Sequence, residues 1–125
     1  DRALIVVDDS AVIKNFVSKV FNNQFEVLIA NDGNEALQMI ANNKGIKIVG
    51  MLLDLNMPNF NGFQVLEYFR NNNLFDLIPV SIITGVGDDE LVAKAYNYPI
   101  VDVLRKPFNE RDIKEVVEKT VQYAH

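Results

Sequence analysis

The chain has 125 residues, 49% of them apolar, with 12 basic against 17 acidic side chains and no cysteine. At roughly 100–200 residues per domain this is one domain, long enough to bury its own core without a disulfide or metal staple. The absence of cysteine excludes disulfides, thiolate metal sites and thiol nucleophiles, and a formal charge of −5 argues against general binding to a phosphate backbone, which needs a basic surface. No apolar run approaches the roughly 18 residues of a membrane helix, and no basic-then-apolar leader opens the sequence. The expectation is a small, soluble, acidic, intracellular domain.

Ala3–Val7 is an unbroken apolar, β-branched run, the pattern of a strand buried on both faces, and it stops at Asp8-Asp9-Ser10. Ser10 is placed to cap a helix in which Val12, Ile13, Phe16, Val17 and Val20 recur at helical spacing. Glu26–Ala30 reads as a shorter strand and Asn31-Asp32-Gly33 as a turn. Ala36, Leu37, Ile40 and Ala41 mark a second helix, ended by Asn42-Asn43-Lys44-Gly45. Ile46–Leu53 is a third strand ending at Asp54. The loop from Leu55 to Gly62 then leads into a helix carrying Phe63, Val65, Leu66 and Phe69.

Pro79–Ile83 is a fourth strand, ending at Thr84-Gly85. Asp88 can cap a helix reaching about Tyr96, and Ile100–Leu104 is a fifth strand ending at Arg105-Lys106-Pro107. A last helix runs from about Asn109 to Tyr123, with Ile113, Val116, Val117 and Val121 inward. Strand and helix thus alternate five times. Connections of this kind imply right-handed crossovers and a parallel sheet covered on both faces, a three-layer α/β sandwich.

In an open parallel sheet, ligands bind beyond the carboxyl ends of the strands, where strand order reverses. Four of the five expected strands end in a polar residue capable of chemistry: Asp8 and Asp9 after the first, Asp54 after the third, Thr84 after the fourth, Lys106 after the fifth. Any one of these alone is explained as a turn former or helix cap. Three carboxylates on neighbouring strand ends repel one another unless a cation or proton intervenes. Mg2+, which takes one or two carboxylates plus a phosphoryl oxygen and keeps several waters, meets that need. A Lys and a Thr hydroxyl suit the remaining phosphoryl oxygens. The set reads as phosphoryl chemistry, and by itself it leaves open which Asp reacts.

These residues resemble the receiver domain of two-component response regulators over essentially the whole chain. Leu4–Ser10 is similar to that family's opening strand and acidic pair, and Ala30–Leu37 to its second strand–helix unit. Leu53-Asp54-Leu55-Asn56-Met57-Pro58, followed by Gly62, resembles the acceptor loop, and Lys106-Pro107-Phe108 the closing motif. The resemblance implies a (βα)5 doubly wound, flavodoxin-like sheet of order 2-1-3-4-5. It implies that Asp54 accepts a phosphoryl group from a phosphohistidine on a histidine kinase or phosphotransfer protein. Asp9, Asp54 and the Asn56 main-chain carbonyl would ligate Mg2+, with Asp8 acting through water. Lys106 and Thr84 would hold the phosphoryl group, and the Lys106–Pro107 peptide would be cis. Such a domain catalyses its own phosphorylation and dephosphorylation without turnover of a separate substrate. The expectation is a single receiver domain over residues 1–125, cytoplasmic, with no membrane or direct nucleic-acid contact. It could stand alone or be cut from a hybrid kinase or a regulator with an output domain.

The chain departs from the resembled pattern near its end. Three positions before Lys106 the family carries Tyr or Phe, whose rotation follows the acceptor's state; here the residue is Val103. A β-branched aliphatic side chain cannot swing as a ring does. Pro99-Ile100 stands where Gly-Ala is common, and proline restrains both itself and Tyr98. The loop before the fifth strand is therefore expected to be stiff, with signalling resting on Thr84 and its own loop.

Three other readings compete. A phosphatase similar to the haloacid dehalogenase family needs its nucleophile on the first strand and an acid two residues on, whereas Asp54 is on the third and is followed by Asn56. A flavodoxin-like cofactor binder needs a Gly/Ser/Thr-rich phosphate loop where this chain has Asp8-Asp9. The last is a degenerate receiver that docks partners without being phosphorylated. Met57, Phe60, Tyr96, Tyr98 and Phe108 are candidates either for a docking face or for packing onto the core. The lone histidine, His125, is terminal and no credible base.

Overall fold

The computed structural model describes residues 2–55 and 62–123. Five strands alternate with five helices: β1 (Arg2–Val7), α1 (Ala11–Phe21), β2 (Glu26–Ala30), α2 (Gly33–Ala41), β3 (Lys47–Asp54), α3 (Gly62–Asn71), β4 (Val80–Thr84), α4 (Asp89–Ala95), β5 (Val103–Arg105) and α5 (Glu110–Tyr123). All pairings are parallel and the sheet order is β2-β1-β3-β4-β5, as the resemblance implies. The order reverses between β1 and β3, which places the ends of these two strands side by side.

Each face of the sheet buries a separate apolar cluster. Leu4, Val6, Leu52 and Ile83 pack with Val17 and Phe21 of α1 and with Ile113, Val116 and Val117 of α5. Ile5, Val7, Met51, Leu53 and Ile82 pack with Ala36 of α2, Val65, Leu66 and Phe69 of α3, and Ala95 of α4. A register shift in β3 leaves Val49 without a partner in β1, between the pairs Ala3–Ile48 and Leu4–Gly50. That extra residue is why Ile48 and Met51, three apart, face the same cluster.

Local capping fixes where several helices begin. Ser10 Oγ accepts the Ile13 N–H at 3.4 Å. Asp32 Oδ1 accepts from Glu35 N at 2.8 Å while Glu35 Oε1 accepts from Asn31 N at 3.3 Å, so the expected turn at 31–33 is already the start of α2. Asn109 and Asp112 exchange the same kind of reciprocal bonds at the head of α5, at 2.9 and 3.1 Å.

β5 is shorter than the expected Ile100–Leu104. Val101 N donates to Val80 O and Ile82 N to Asp102 O, so pairing begins early. Then Ile100 N turns back to Tyr98 O at 2.8 Å, and Asp102 Oδ1 takes the Val103 N–H at 2.8 Å. The bend around Pro99 and this local side-chain bond cost the strand its first residues.

Tyr98 and Phe108 pack inward. Phe108 lies 5.9 Å from Phe16 between ring centroids. Tyr98 is half-buried against Phe63 and Phe75, each at 6.5 Å, and its hydroxyl donates to Glu67 Oε2 at 2.6 Å. Arg70 holds both oxygens of Glu67 at 2.7 Å and stands 4.7 Å over the Tyr98 ring. Tyr96 remains exposed. Met57, Phe60 and His125 lie outside the described residues.

Two buried hydroxyls join α5 to the sheet. Thr120 Oγ1 donates to Val116 O at 2.6 Å, and Ser81 Oγ lies 2.5 Å from Thr120 Oγ1. With the threonine proton committed to Val116, Ser81 must be the donor between them. Thr120→Val therefore strands a buried Ser81 hydroxyl and should cost about 1–3 kcal/mol. In urea denaturation, adding Ser81→Ala to Thr120→Val should recover part of that loss, and strictly additive losses would mean the two are uncoupled.

The bond to Glu67, followed by burial, raises the Tyr98 phenol above its ordinary value. Because the folded value exceeds the unfolded one, the stabilisation is complete below about pH 10 and is lost as pH rises through the folded value. In an alkaline absorbance titration Tyr98→Phe should remove the most alkaline phenolate component. Loss of an earlier component instead would contradict the assignment.

Candidate functional site

Asp8 follows β1 and Asp54 ends β3, so the topology brings both carboxylates to the carboxyl edge of the sheet at the point of strand reversal. Asp8 is fully buried; its Oδ1 accepts Ser10 N at 2.8 Å, and its main-chain N donates to Ala30 O at 3.1 Å. Asp54 is 4% exposed, whereas Asp9 is exposed to solvent. One carboxylate oxygen from each of Asp8, Asp9 and Asp54 lies within 4.8 Å of the others. Lys106 Nζ stands 3.5 Å from Asp8 Oδ2 and 3.6 Å from Asp54 Oδ2. Two of the three acids thus share one ammonium.

Two backbone bonds set these groups in register. Lys106 N donates to Thr84 O at 2.7 Å and Leu55 N to Ile83 O at 3.3 Å. Lys106–Pro107 is a cis peptide. Thr84 is 1% exposed, and among the described residues its Oγ1 and Asp8 Oδ2 are the buried side-chain oxygens without a hydrogen bond, though Asp8 Oδ2 keeps its ion pair with Lys106. A buried hydroxyl is ordinarily satisfied, so Thr84 Oγ1 has capacity for a further partner.

Sequence reasoning assigned every side chain of this cluster: Asp8, Asp9, Asp54, Thr84 and Lys106. Asn56 lies outside the described residues. Val103 pairs with Ile82 and, half-buried, packs against the edge of the α2–α3–α4 cluster.

Two supporting residues were not anticipated. Asp88, expected to cap α4, makes no side-chain cap bond. Its Oδ2 accepts Gly85 N at 2.8 Å, bracing the loop directly after Thr84. Gly62 sits so close to the end of β3 that an added Cβ would lie 2.9 Å from Asp54 O and 2.8 Å from Leu55 Cδ2. A glycine at the head of an apolar helix was the available signal, but it reads equally as the end of a loop.

The donor set suits a hard divalent cation, all oxygen with two carboxylates buried, and the lone Lys and the unpartnered Thr hydroxyl suit an anion beside it. An open doubly wound α/β domain with an acidic cluster, a Thr and a Lys at its carboxyl edge is the class that fold and site together define. The model of the response regulator receiver domain family matches residues 4–118, and the chain belongs to that family. Chemotaxis protein CheY1 of Helicobacter pylori is 34% identical over 119 residues, covering 92% of this chain and 93% of that protein. The transcriptional regulatory protein CpxR homolog of Haemophilus influenzae is 34% identical over 111 residues, 88% of this chain but 46% of that one. Among solved structures, chemotaxis protein CheY4 of Vibrio cholerae superposes with a TM-score of 0.82 at 25% identity, over 95% of this chain and 98% of that chain. Among the described residues, no helix is long and apolar enough to cross a membrane.

A Cβ at position 62 would press on the backbone of Asp54 and Leu55, which no side-chain rotation relieves. Gly62→Ala should lose about 1–3 kcal/mol of stability in urea denaturation. Gly85→Ala, whose Cβ would meet Asp88 Oδ2 at an ordinary 3.4 Å, should lose much less. Equal losses would refute the close-approach explanation.

Proposed function

We propose that this domain is a phosphoacceptor of a two-component phosphorelay, with Asp54 taking the phosphoryl group from a phosphohistidine on a histidine kinase or phosphotransfer protein. The observation that carries this reading is the grouping at Asp54 of an ammonium 3.6 Å away, two further carboxylates and a buried threonine hydroxyl without a partner. A carboxylate oxygen of Asp54 bonds to phosphorus as the nitrogen–phosphorus bond of the donor breaks; the electron pair stays on that nitrogen, and the proton already on the other ring nitrogen makes the departing imidazole neutral, leaving an acyl phosphate on the protein.

Little covalent work falls to the protein in such a transfer; positioning and charge neutralisation carry it. Asp9 and Asp54, with the Asn56 main-chain carbonyl and Asp8 through water, would hold Mg2+, which neutralises charge on the phosphoryl oxygens when bound. Lys106, held between Asp8 and Asp54, would bind the phosphoryl oxygens. Thr84 Oγ1 donates to a phosphoryl oxygen once transfer is complete. Asp88 fixes the loop that carries Thr84 through the Gly85 amide. The domain works in the cytoplasm, beside its kinase, and an attached output domain fits the half-length match to the CpxR homolog.

The test is incubation with a small-molecule phosphodonor and Mg2+, read by intact mass. The wild type should gain one phosphoryl group, dependent on Mg2+ and absent in Asp54→Ala. Lys106→Ala should slow the gain by about 100-fold, the scale of removing one donor aimed at developing charge. No gain under conditions that modify a control receiver would replace this reading with a phosphorylation-independent docking module.

A further inference from the structure

Three residues of one face of α3 grip the loop between α4 and β5. Phe63, Glu67 and Arg70 follow one another at i, i+4 and i+7 along the helix, and all three reach Tyr98. Phe63 supplies a ring, Glu67 accepts the phenol proton at 2.6 Å, and the Arg70 guanidinium covers the ring at 4.7 Å. Phe75 closes the remaining side and is itself seated edge-on against the buried Phe69 at 5.4 Å. Lys94 Nζ lies 4.5 Å over the Phe63 ring, so α4 is bound into the same assembly.

The main chain around Tyr98 has little freedom of its own. Tyr98 N donates to Ala95 O, Ile100 N to Tyr98 O, and Val101 N to Val80 O, while Pro99 fixes the torsion between them. The Glu67–Arg70 pair is about half exposed on each side, so the ion pair alone contributes little. What it adds is position: it presents one acceptor and one flat cation to a ring already packed between two others.

We propose that the grip of Glu67 and Arg70 on Tyr98 is a conformational lock. It holds the α4–β5 loop against α3 in both states of Asp54, and breaking it frees that loop to respond to the acceptor. The lock rests on the receiver reading for its role in signalling, but its mechanical part stands independently. It gives Tyr98 the function of a restraint at a face where Val103 provides no moving ring. Changes at Asp54 then leave the domain by way of Thr84, Gly85 and Asp88.

Hydrogen exchange of the full chain, followed by mass spectrometry on peptides spanning 96–102, tests this with and without Mg2+ and beryllium fluoride as a phosphoryl stand-in. In the wild type the two conditions should differ by less than about twofold in this segment. Tyr98→Phe keeps the ring and loses one hydrogen bond, and should speed exchange by about fivefold. Tyr98→Ala should speed it at least about tenfold and reveal a difference between the two conditions. Wild-type exchange that changes strongly with beryllium fluoride would overturn the lock, as would variants that exchange like the wild type. Intact-mass phosphorylation of the same samples separates the two ideas. If Asp54 takes no phosphoryl group, the receiver reading fails while the comparison without beryllium fluoride still decides the lock.

Discussion

The structure is organised around a crowding of like charge. Asp8, Asp9 and Asp54 bring carboxylate oxygens within 4.8 Å of one another, two of the residues are nearly or wholly buried, and one ammonium, from Lys106, approaches them. Water would ordinarily disperse such repulsion, but here the strand ends hold Asp8 and Asp54 where little water reaches. The rest of the molecule keeps that arrangement from relaxing. β1 and β3 lie adjacent because the chain crosses back over its first strand, and each is clamped by helices on both faces. An exposed, mobile acid could rotate away from its neighbours. Asp8, fully buried and tied through Oδ1 to the Ser10 amide, cannot.

That constraint explains the character of the surrounding residues. Ser10 serves both as the cap of α1 and as the amide donor that fixes Asp8. Gly62 lets α3 start against the Asp54 carbonyl, and Asp88 turns away from its helix to hold the loop after Thr84. Neither Gly62 nor Asp88 is part of the acidic cluster. Both limit how far the backbone beside it can move. Carboxylates crowded in this way keep their geometry only where the walls do not yield, because stabilisation by fixed groups needs them in place beforehand.

Much of this was legible in the residue order. Buried parallel strands announce themselves as continuous apolar runs, so Ala3–Val7 and Ile46–Leu53 match the structure within a residue at either end. The polar residue that ends each run is where such a sheet places its chemistry, which is why Asp8, Asp54, Thr84 and Lys106 stood out. What was not legible depends on contacts between distant segments. β5 is shortened by a bend at Pro99 and by the Asp102 side chain, neither of which alters the apolar pattern of Ile100–Leu104. Asp88 has the composition of a helix cap, and only the path of the chain shows its carboxylate directed backward. The union of Glu67, Arg70 and Tyr98 spans 31 positions between acceptor and donor, beyond the reach of any local pattern.

The placement of β1 also governs how the polypeptide comes together in time. β1 is bordered by β2 on one side and β3 on the other, so during synthesis its second edge stays open until residues 47–54 have emerged. Over that interval a strand of five fully buried residues, Ala3–Val7, offers unpaired amides and carbonyls beside apolar side chains. That combination invites wrong pairing between nascent chains. α1 and α2, each begun by its own local cap, can shade parts of the two faces early, but neither covers the edge. The strand that ends in Asp54 is therefore also the strand that closes this gap, and the acidic cluster at the edge of the sheet comes together in the same step that removes the open edge.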